Sequence, residues 1–324
     1  MKEMTTELMK AVICTKYGPP EVLEFREIEK PIPKDNEVLI KIYATSGHIG
    51  DSRMRRFDVP GGLIIQILAR LMLGINRPSR IAKSSILGMD LAGEIVEVGK
   101  DVTKFKKGDQ VFASTYWSCF GGYAEYKCMA EDAKGLSLKP TNMTYEEAAV
   151  IPASGITAWG IIKMANIQSG QKVLIYGASG SVGTFAVQMA KALGAEVTGV
   201  CSTSNLELIS SLGSDEVIDY TKEDFSESGG VYDVIFDAVD KYKGDYKKVL
   251  KDSGIYLNVD KSSDKIDSKK ATSLLDELKE LIEAGKLKAV IDKHFSWNEI
   301  VEAHRYVDSG RKKGNVSITI VQSD

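Results

Sequence analysis

A glycine-rich turn, Gly177–Gly183, carries the clearest chemical signal in the chain, because its residue types suit the binding of a phosphate. It follows an apolar run, Val173–Tyr176, that is typical of a buried strand, and it precedes a helical pattern over Val182–Leu193. Gly180 lets the backbone approach a phosphate, and Gly183 lets the helix pack closely on the strand. The helix N-terminus adds unpaired N–H groups and a positive dipole end. We therefore expect the turn to hold the pyrophosphate of a dinucleotide.

The match of this turn to the dinucleotide pattern G-x-G-x-x-G is incomplete, because Ala178 stands where the first glycine belongs. A purely structural turn is the alternative interpretation, although the strand–turn–helix context favours nucleotide binding. The residues expected to bind the cofactor within the turn are Gly177, Ser179, Gly180, Ser181, Val182 and Gly183.

The end of the second strand, Glu196–Val200, indicates which dinucleotide binds. An NAD site usually places Asp or Glu there, about 20 residues after the glycines, to hold the ribose 2′-hydroxyl. Here the strand runs into a polar segment without an acid, whose hydroxyls, amide and helix N–H groups can bind a 2′-phosphate. The pattern favours NADP(H) over NAD(H); alternatively, the same residues only cap the helix that follows. The segment consists of Ser202, Thr203, Ser204 and Asn205.

The charge balance and the apolar runs argue against nucleic-acid and membrane partners. The 324 residues include 42 Lys and Arg against 45 Asp and Glu, which gives a net charge of −3 and no basic stripe. The longest apolar stretch, Gly61–Gly74, is interrupted by Gln66 and Arg70 and is too short to span a bilayer. The length is sufficient for two domains with separate cores.

Cysteine usage and the N-terminal residues predict a reduced, cytoplasmic protein. The four cysteines show no C-x-x-C spacing, which argues against a zinc ribbon or a disulfide framework. Met1–Lys10 is polar and lacks the apolar core of a signal peptide. The cysteines are Cys14, Cys119, Cys128 and Cys201.

Two kinds of pattern divide the chain. Residues 11–130 are predicted to be β-rich, with one apolar run of helical character at Leu63–Leu73. From Tyr145 onward strands and helices alternate, which implies a parallel, doubly wound sheet. The predicted strands of the first part are Ala11–Thr15, Val38–Ala44, Asp90–Val98, Gln110–Ala113 and Gly122–Lys127. Elements predicted in the second part include Gln168–Tyr176, Val182–Leu193, Glu196–Val200, Leu206–Leu212, Glu216–Asp219, Val231–Ala238, Gly254–Val259 and the helix Ala271–Ala284.

Further motifs accompany the glycine-rich turn along nearly the whole chain. They are Tyr17–Leu23, Gly88–Gly93, Phe105–Val111, Gly122–Tyr126, a turn at Gly155–Ala158, Val217–Tyr220 and Ala303–His304. In this order they resemble the zinc-independent quinone oxidoreductases of the medium-chain dehydrogenase/reductase superfamily. The resemblance implies a homodimeric α/β protein in which a GroES-like β-rich catalytic domain is combined with a Rossmann doubly wound parallel sheet. The expected boundaries are 1–135 and 271–324 for the catalytic domain and 136–270 for the Rossmann domain.

The resemblance also bears on metal content. Zinc-dependent alcohol dehydrogenases of the superfamily place ligands where this chain has His48, the pair Met89 and Asp90, and a residue near Ala153. A catalytic zinc needs about three protein ligands, and neither Met89 nor Ala153 supplies one. We therefore expect no zinc.

Two residues are candidates for catalysis. At the position of His48, the zinc-free pattern looks more like Asn. An imidazole there could donate a hydrogen bond or a proton to a substrate carbonyl. The alternative is a turn histidine that bonds a backbone carbonyl beside two glycines. Tyr123 is the second candidate, and its alternative is a position in the core or rim of the β-rich domain.

The resemblance assigns further residues to the cofactor. Asn205 replaces a lysine that often supplies positive charge to the 2′-phosphate, so that charge would come from Arg311, Lys312 or Lys313 in the last loop. The alternative for Thr157, expected against the nicotinamide, is a hydroxyl at a helix N-terminus. The cofactor residues added by the resemblance are Thr157, Tyr220, Ala238, Val239 and Arg311.

Together these features predict an NADPH-dependent oxidoreductase that transfers hydride to a quinone or an α,β-unsaturated carbonyl without zinc. Without a metal, a hydrogen-bond donor must stabilise the anion that develops on the acceptor. The alternatives are a nucleotide-binding redox sensor or scaffold without turnover, and an alcohol dehydrogenase.

Overall fold

The computed structural model describes residues 7–57, 86–227, 229–242 and 244–320, which divide into two compact units. The first unit contains the chain up to Ala153, then Lys293–Lys312 and the residues from Val316 onward. The second unit contains Ser154–Asp292 and the short segment Lys313–Asn315. The predicted apolar run Leu63–Leu73 lies outside the described residues.

The bounds of the elements are as follows. The strands are β1 (Leu8–Cys14), β2 (Leu23–Glu29), β3 (Glu37–Ser46), β4 (Asp90–Val98), β5 (Gln110–Ser114), β6 (Tyr126–Ala130), β7 (Leu136–Leu138), β8 (Lys172–Tyr176), β9 (Glu196–Cys201), β10 (Glu216–Asp219), β11 (Tyr232–Asp237), β12 (Leu250–Asn258), β13 (Ile291–Ser296) and β14 (Asn315–Thr319). The helices are α1 (Ile49–Arg56), α2 (Tyr145–Ala148), α3 (Pro152–Ala165), α4 (Ser181–Ala192), α5 (Leu206–Ser211), α6 (Val259–Ser263), α7 (Ala271–Glu283) and α8 (Ile300–Asp308).

The first unit is built on antiparallel strands. β1 pairs with β2, and a larger sheet has the order β13-β14-β3-β4-β5-β7, with β6 also paired to β3. The alternation of apolar residues in β3 and β4 buries Ile40, Ile42 and Ile95 in one core. Gly93 faces Ile42 across the β3–β4 pair, and a Cβ at Gly93 would overlap the carbonyl oxygen of Lys41. A glycine is therefore required for this close approach.

The second unit is a parallel sheet with the order β10-β9-β8-β11-β12. Parallel strands are covered on both faces, so their residues form continuous apolar runs such as Val173–Ile175, which is fully buried. The chain moves outward from β8 to β10 on one side and returns to β11 on the other. The carboxyl end of β8 is thus the switch point of the sheet, where ligands bind in such folds.

Several sequence predictions hold and others need correction. β4 and β10 have the predicted bounds. The predicted strand Gly122–Lys127 is wrong at its start, because the N–H groups of Gly122 and Tyr123 bond back to Gly88 and Leu87 and the ladder with β3 begins only at Tyr126. The predicted turn Gly155–Ala158 is also wrong, because these residues lie inside α3.

The two compact units of the structure divide the chain at other residues than the predicted domain boundaries, which stay a prediction. α7 was expected in the catalytic part, yet it belongs to the second unit. The carboxylate of Glu277 on α7 accepts hydrogen bonds from the indole of Trp159 at 2.6 Å and from Lys163 at 2.7 Å on α3. These contacts within the second unit, which continues to Asp292, have no local sequence signal. None of the described helices is long and apolar enough to cross a membrane.

Candidate functional site

The glycine-rich turn connects β8 to α4 at the switch point of the parallel sheet. Gly177 has φ +77°, and a Cβ there would lie 2.6 Å from Val239. A Cβ at Gly183 would overlap the carbonyl oxygen of Gly177, so the helix packs on the turn as the sequence predicts. Gly180 is different, because a Cβ there would lie 3.5 Å from its nearest protein atom. The space beside Gly180 is therefore open to a ligand.

The segment Lys313–Asn315 is hydrogen-bonded to this turn. The N–H of Gly314 donates to the carbonyl of Ser179 at 2.8 Å, and the hydroxyl of Ser181 donates to the carbonyl of Gly314 at 2.9 Å. Val182 lies in the first turn of α4. Gly314 is thus hydrogen-bonded to two residues of the glycine turn, which helps to preorganise the N–H groups of the turn for an anion.

The polar run after β9 meets the same turn. The amide nitrogen of Asn205 donates to the hydroxyls of Ser179 at 3.0 Å and Ser202 at 3.1 Å. The amide oxygen of Asn205 is buried and has no hydrogen-bond partner among the described residues. The ammonium of Lys313 donates to the carbonyl of Ser204 at 3.2 Å. A cation therefore stands beside the run that the sequence predicts for a 2′-phosphate.

Two of the predicted cofactor residues, Thr203 and Arg311, stay predictions, and the structure gives their surroundings. The hydroxyl of Thr203 donates to Asp219 at 2.5 Å, so its hydrogen is committed to the protein and not to a ligand. The hydroxyls of Thr203 and Thr221 hold the pKa of Asp219 at about 2, which keeps this carboxylate ionised. Arg311 belongs to the first unit and is exposed, and Lys313 belongs to the second unit.

The remaining cofactor candidates lie in the second unit with the turn. The N–H of Ala238 donates to the carbonyl of Tyr176 at 2.9 Å, which brings the end of β11 to the end of β8. Val239 packs against Gly177, and Tyr220 is half exposed with its ring 6.2 Å from that of Tyr176. Thr157 lies on α3 and is partly buried.

His48 forms the N-cap of α1 in the first unit. Its Nδ1 accepts a hydrogen bond from the N–H of Gly50 at 3.0 Å, so the proton of the neutral ring sits on Nε2. Burial lowers the pKa of His48 to about 3, and the charges of Lys312 and Arg53 act in the same direction. The side chain keeps some accessible surface. His48 can therefore donate a hydrogen bond from Nε2–H at neutral pH but cannot supply a proton from an imidazolium.

Two buried carboxyl groups, those of Asp51 and Asp90, lie in the same unit as His48. Asp51 accepts hydrogen bonds from the N–H groups of Gly88 at 2.8 Å and Met89 at 3.3 Å. Asp90 accepts from the hydroxyl of Ser46 at 2.6 Å and from the N–H of Ala153 at 2.7 Å. Burial raises the pKa of each carboxyl group to about 7, against the opposing effect of these hydrogen bonds.

These groups do not fit a catalytic zinc. Nδ1 of His48 is occupied by Gly50, both oxygens of Asp90 are occupied, and Met89 offers only a thioether packed against Gly50. Within the described ranges, no three or more His, Cys, Asp or Glu side chains are grouped so that they could hold a metal ion. Zinc needs about three nitrogen, sulfur or carboxylate donors with free lone pairs, and this set does not supply them.

Tyr123 is not a substrate-facing residue, contrary to the sequence prediction. Its side chain is fully buried, and its hydroxyl lies 3.0 Å from Nε2 of His304 and 3.3 Å from the carbonyl of Ser46. Burial raises the pKa of Tyr123 well above its usual value. The sequence analysis did not identify the hydrogen-bonded group next to Tyr123, which consists of Arg55, His304 and Asp308. This group joins residues about 250 positions apart, so no local pattern marks it.

Comparisons with known proteins agree with this geometry. Residues 34–161 match the alcohol dehydrogenase GroES-like domain, and residues 212–317 match a family described as zinc-binding dehydrogenase. The chain is 32% identical to 2-methylene-furan-3-one reductase of Solanum lycopersicum, over 96% of this chain and 79% of the relative. It is 31% identical to the chloroplastic NADPH-dependent alkenal/one oxidoreductase of Arabidopsis thaliana, over 96% of this chain and 79% of the relative.

A solved structure covers the same range. The quinone oxidoreductase from Coxiella burnetii superposes with a TM-score of 0.81 and 27% identity, over 97% of this chain and all of that one. The GroES-like first unit, the parallel sheet and the glycine-rich turn occur together in the order that the sequence motifs predict. The chain belongs to the quinone oxidoreductase family of the medium-chain dehydrogenase/reductase superfamily.

Proposed function

We propose that this protein uses NADPH to reduce a quinone or an α,β-unsaturated carbonyl and that it does so without zinc. The observation that carries the proposal is the cation at the end of β9, where Lys313 stands beside Ser204 and no acid occupies the site of a 2′-hydroxyl. The names of the relatives support it, since one is an NADPH-dependent alkenal/one oxidoreductase and another a furanone reductase.

The pyrophosphate would bind at the open side of Gly180 and at the N–H groups that begin α4. The 2′-phosphate would bind between the Lys313 ammonium and the hydroxyls of Ser202 and Ser204. The amide of Asn205 can add a donor by turning over, because the hydroxyls of Ser179 and Ser202 can then donate to its oxygen. This rotation would pair the buried oxygen that now has no partner.

When bound, the nicotinamide supplies hydride from its C4 atom to the acceptor. We propose that Nε2–H of His48 donates a hydrogen bond to the acceptor carbonyl and stabilises the negative charge that develops there. The neutral imidazole is suited to this role because Gly50 fixes its tautomer and its pKa is too low for protonation. The proton that completes the reduction then comes from solvent.

Two other functions compete with this proposal. A redox sensor or scaffold would bind NADPH without oxidising it in the presence of an acceptor, and an alcohol dehydrogenase would reduce NADP⁺ with an alcohol. The test is steady-state oxidation of NADPH with a panel of quinones and enones, beside NADP⁺ with a panel of alcohols. Turnover with an enone or a quinone supports the proposal, and turnover confined to alcohols, or none with any acceptor, contradicts it.

Gly180→Val provides the matched control for that assay. The backbone at Gly180 has φ −78°, which any residue can adopt, and a Cβ meets no close protein atom. The variant should therefore fold normally while its side chain fills the phosphate position. Residual activity equal to that of the wild type would show that the turnover does not depend on this turn.

We further propose that the protein is a homodimer. β12 lies at the edge of the parallel sheet, and Ile255 on this strand is 40% exposed. An exposed strand edge offers unpaired backbone groups to a second copy. Light scattering after size-exclusion chromatography should give twice the mass of one chain, and Ile255→Lys should reduce it.

A cytoplasmic location stays a prediction, since relatives include proteins named mitochondrial and chloroplastic.

A further inference from the structure

Arg55 is the largest fully buried side chain of the described residues, and its charge is compensated inside the first unit. One terminal nitrogen donates to the carbonyl of Gly18 at 2.6 Å. The other donates to Asp308 and to the hydroxyl of Ser52, which also bonds Asp308. Nε donates to Nδ1 of His304 at 3.2 Å. A buried cation with this many partners holds the elements that carry them in one arrangement.

The guanidinium fixes the direction of every hydrogen bond that follows. Because Arg55 can only donate, Nδ1 of His304 must accept, and the proton of the neutral ring lies on Nε2. Nε2 lies 3.0 Å from the hydroxyl of Tyr123, so the tyrosine oxygen accepts there. The tyrosine hydrogen then goes to the carbonyl of Ser46 at 3.3 Å, and burial together with the nearby Asp51 carboxyl group raises the pKa of Tyr123.

This chain of bonds leads back to a neighbour of the helix from which it starts. Asp51 and Arg55 are separated by four residues on α1, so their side chains share one face of the helix. The bonds leave α1 at Arg55 and pass through His304 on α8 to Tyr123, whose pKa is raised by burial and by the neighbouring Asp51 on α1. We call these four residues the α1 ring. Asp51 also holds the backbone of Gly88 and Met89, which ties the first turn of α1 to the sheet.

The α1 ring is unsuited to moving protons. A guanidinium keeps its protons throughout the physiological range, so no proton can pass Arg55. Burial and the charge of Arg55 lower the pKa of His304 to about 3, which keeps its ring neutral. The ring can therefore transmit position but not charge.

We propose that Arg55 and His304 are positioning residues, which through Tyr123 and Asp51 hold α1 so that its N-cap, His48, presents Nε2–H to the acceptor. This inference rests on the proposed role of His48 in the reduction. It explains why a buried cation and two neutral hydrogen-bonding rings converge on a short helix of eight residues. His48 is the first residue before that helix, and Asp51 lies within its first turn.

The test combines kinetics with nitrogen NMR of the histidines. The chain has only three histidines, so ¹⁵N-histidine labelling gives a spectrum that single substitutions can assign. We expect His48 and His304 to be neutral Nε2–H tautomers between about pH 5 and pH 8. Tyr123→Phe removes one hydroxyl without changing the shape of the side chain and should shift the His48 signals. A His304 signal that belongs to the Nδ1–H tautomer or to an imidazolium would overturn the proposal.

In the kinetic arm, Tyr123→Phe and His304→Phe should lower kcat for an enone by about 10–100-fold, as expected for a misplaced catalytic group. The dissociation constant of NADPH should change by less than about twofold, because the pyrophosphate turn lies on other elements. His304→Gln should recover most of the activity, since its amide can accept from Arg55 and donate to Tyr123. His294→Gln removes an exposed histidine elsewhere and should match the wild type.

The outcomes separate this inference from the proposed function. If His48→Ala lowers kcat while Tyr123→Phe and His304→Phe, shown to be folded by their melting curves, keep it, the positioning role is wrong and the function stands. If His48→Ala keeps full activity, the proposed role of His48 is wrong. If His304→Phe does not fold, the activities of Tyr123→Phe and His304→Gln test the positioning role. An activity of His304→Gln that stays far below that of the wild type also contradicts the proposal.

Discussion

The ammonium of Lys313 lies 3.2 Å from the carbonyl oxygen of Ser204, at the point where β9 ends and the polar run begins. Lys313, in the segment Lys313–Asn315, lies 108 positions after Asn205 in the sequence. The contact exists because Gly314 and Ser181 fasten that segment to the glycine-rich turn. An ammonium group from a distant part of the sequence therefore lies at the end of β9.

Lys313 should determine the preference for NADPH. Lys313→Met is expected to weaken NADPH binding by about 1–3 kcal/mol, the contribution of a hydrogen bond to a charged group. NADH lacks the 2′-phosphate, so its affinity should stay within about twofold. Fluorescence titration of both nucleotides checks this. Lys313→Arg serves as the control that keeps the charge, and an equal loss for both nucleotides would show that Lys313 acts only on the fold.

A substitution of Ser202 tests the same subsite through repulsion between a carboxylate and the 2′-phosphate. Ser202→Asp places a carboxylate where NAD-binding relatives of the fold carry an acid, so it should favour NADH over NADPH. Ser202→Asn, similar in size and uncharged, should leave the preference for NADPH in place. The ratio of kcat/KM for the two nucleotides measures the change, and an unchanged ratio in Ser202→Asp would place the 2′-phosphate elsewhere.

Gly183 and Gly180 should respond oppositely to substitution. A Cβ at Gly183 overlaps the carbonyl of Gly177, so Gly183→Ala should lower the free energy of unfolding by about 1–3 kcal/mol. Gly180→Ala should leave stability unchanged and weaken nucleotide binding. Urea denaturation and nucleotide titration of both variants give the comparison. A stable Gly183→Ala variant would mean that α4 can shift away from the turn.

His48 should contribute to turnover without an ionisation near neutral pH. His48→Ala is expected to lower kcat/KM with an enone by about 10²-fold, as for the loss of one donor to a developing anion. His48→Asn should keep more activity, because its amide can donate. Since the pKa of His48 is about 3, kcat/KM should show no step near pH 6.5. Such a step, absent in His48→Asn, would mean that a protonated imidazole takes part.

His304 should make the free energy of unfolding depend on pH in the acid range. Its pKa is lowered to about 3 in the folded protein, so below the unfolded value of about 6.5 the unfolded state binds the extra proton. Stability should thus fall as the pH falls from about 6.5 towards 3, by about 1.4 kcal/mol per pH unit for a fully buried ring. Asp51 and Asp90, whose pKa values are raised to about 7, act in the opposite direction over about pH 4–7.

The contribution of His304 is isolated by substitution. His304→Gln does not titrate, so its free energy of unfolding should lose less than that of the wild type between about pH 6.5 and pH 5. Chemical denaturation at several pH values measures both proteins, with His294→Gln as the control. Parallel curves for His304→Gln and the wild type would contradict the neutral, buried state of His304.

The sequence predicts the parts of this molecule that depend on local pattern. β4 and the glycine turn follow from the period of apolar residues and from glycines at fixed spacing, and both occur where expected. The burial of Tyr123 does not follow, because a tyrosine in a β-rich segment has the same local pattern whether it faces substrate or core. Its position depends on His304, which is 181 residues away.

The difference between the predicted domain boundaries and the two compact units also involves contacts between distant residues. The helix α7 is recognisable from its amphipathic period, but its bonds from Glu277 to Trp159 and Lys163 on α3 have no local sequence signal. Within α3, the family resemblance predicts a turn at Gly155–Ala158. Its residues are buried on nearly all sides, and tertiary packing outweighs their weak helix propensity.

We propose that the chain oxidises NADPH with an enone or a quinone as acceptor and that it needs no zinc. The most direct measurement is the steady-state rate of NADPH oxidation with such an acceptor, before and after dialysis against a zinc chelator, with the zinc content determined on the same samples. We expect turnover that Gly180→Val abolishes, less than one zinc per chain, and the same rate after chelation. Stoichiometric zinc that is lost together with the activity, or no turnover with any acceptor of either class, would contradict the account.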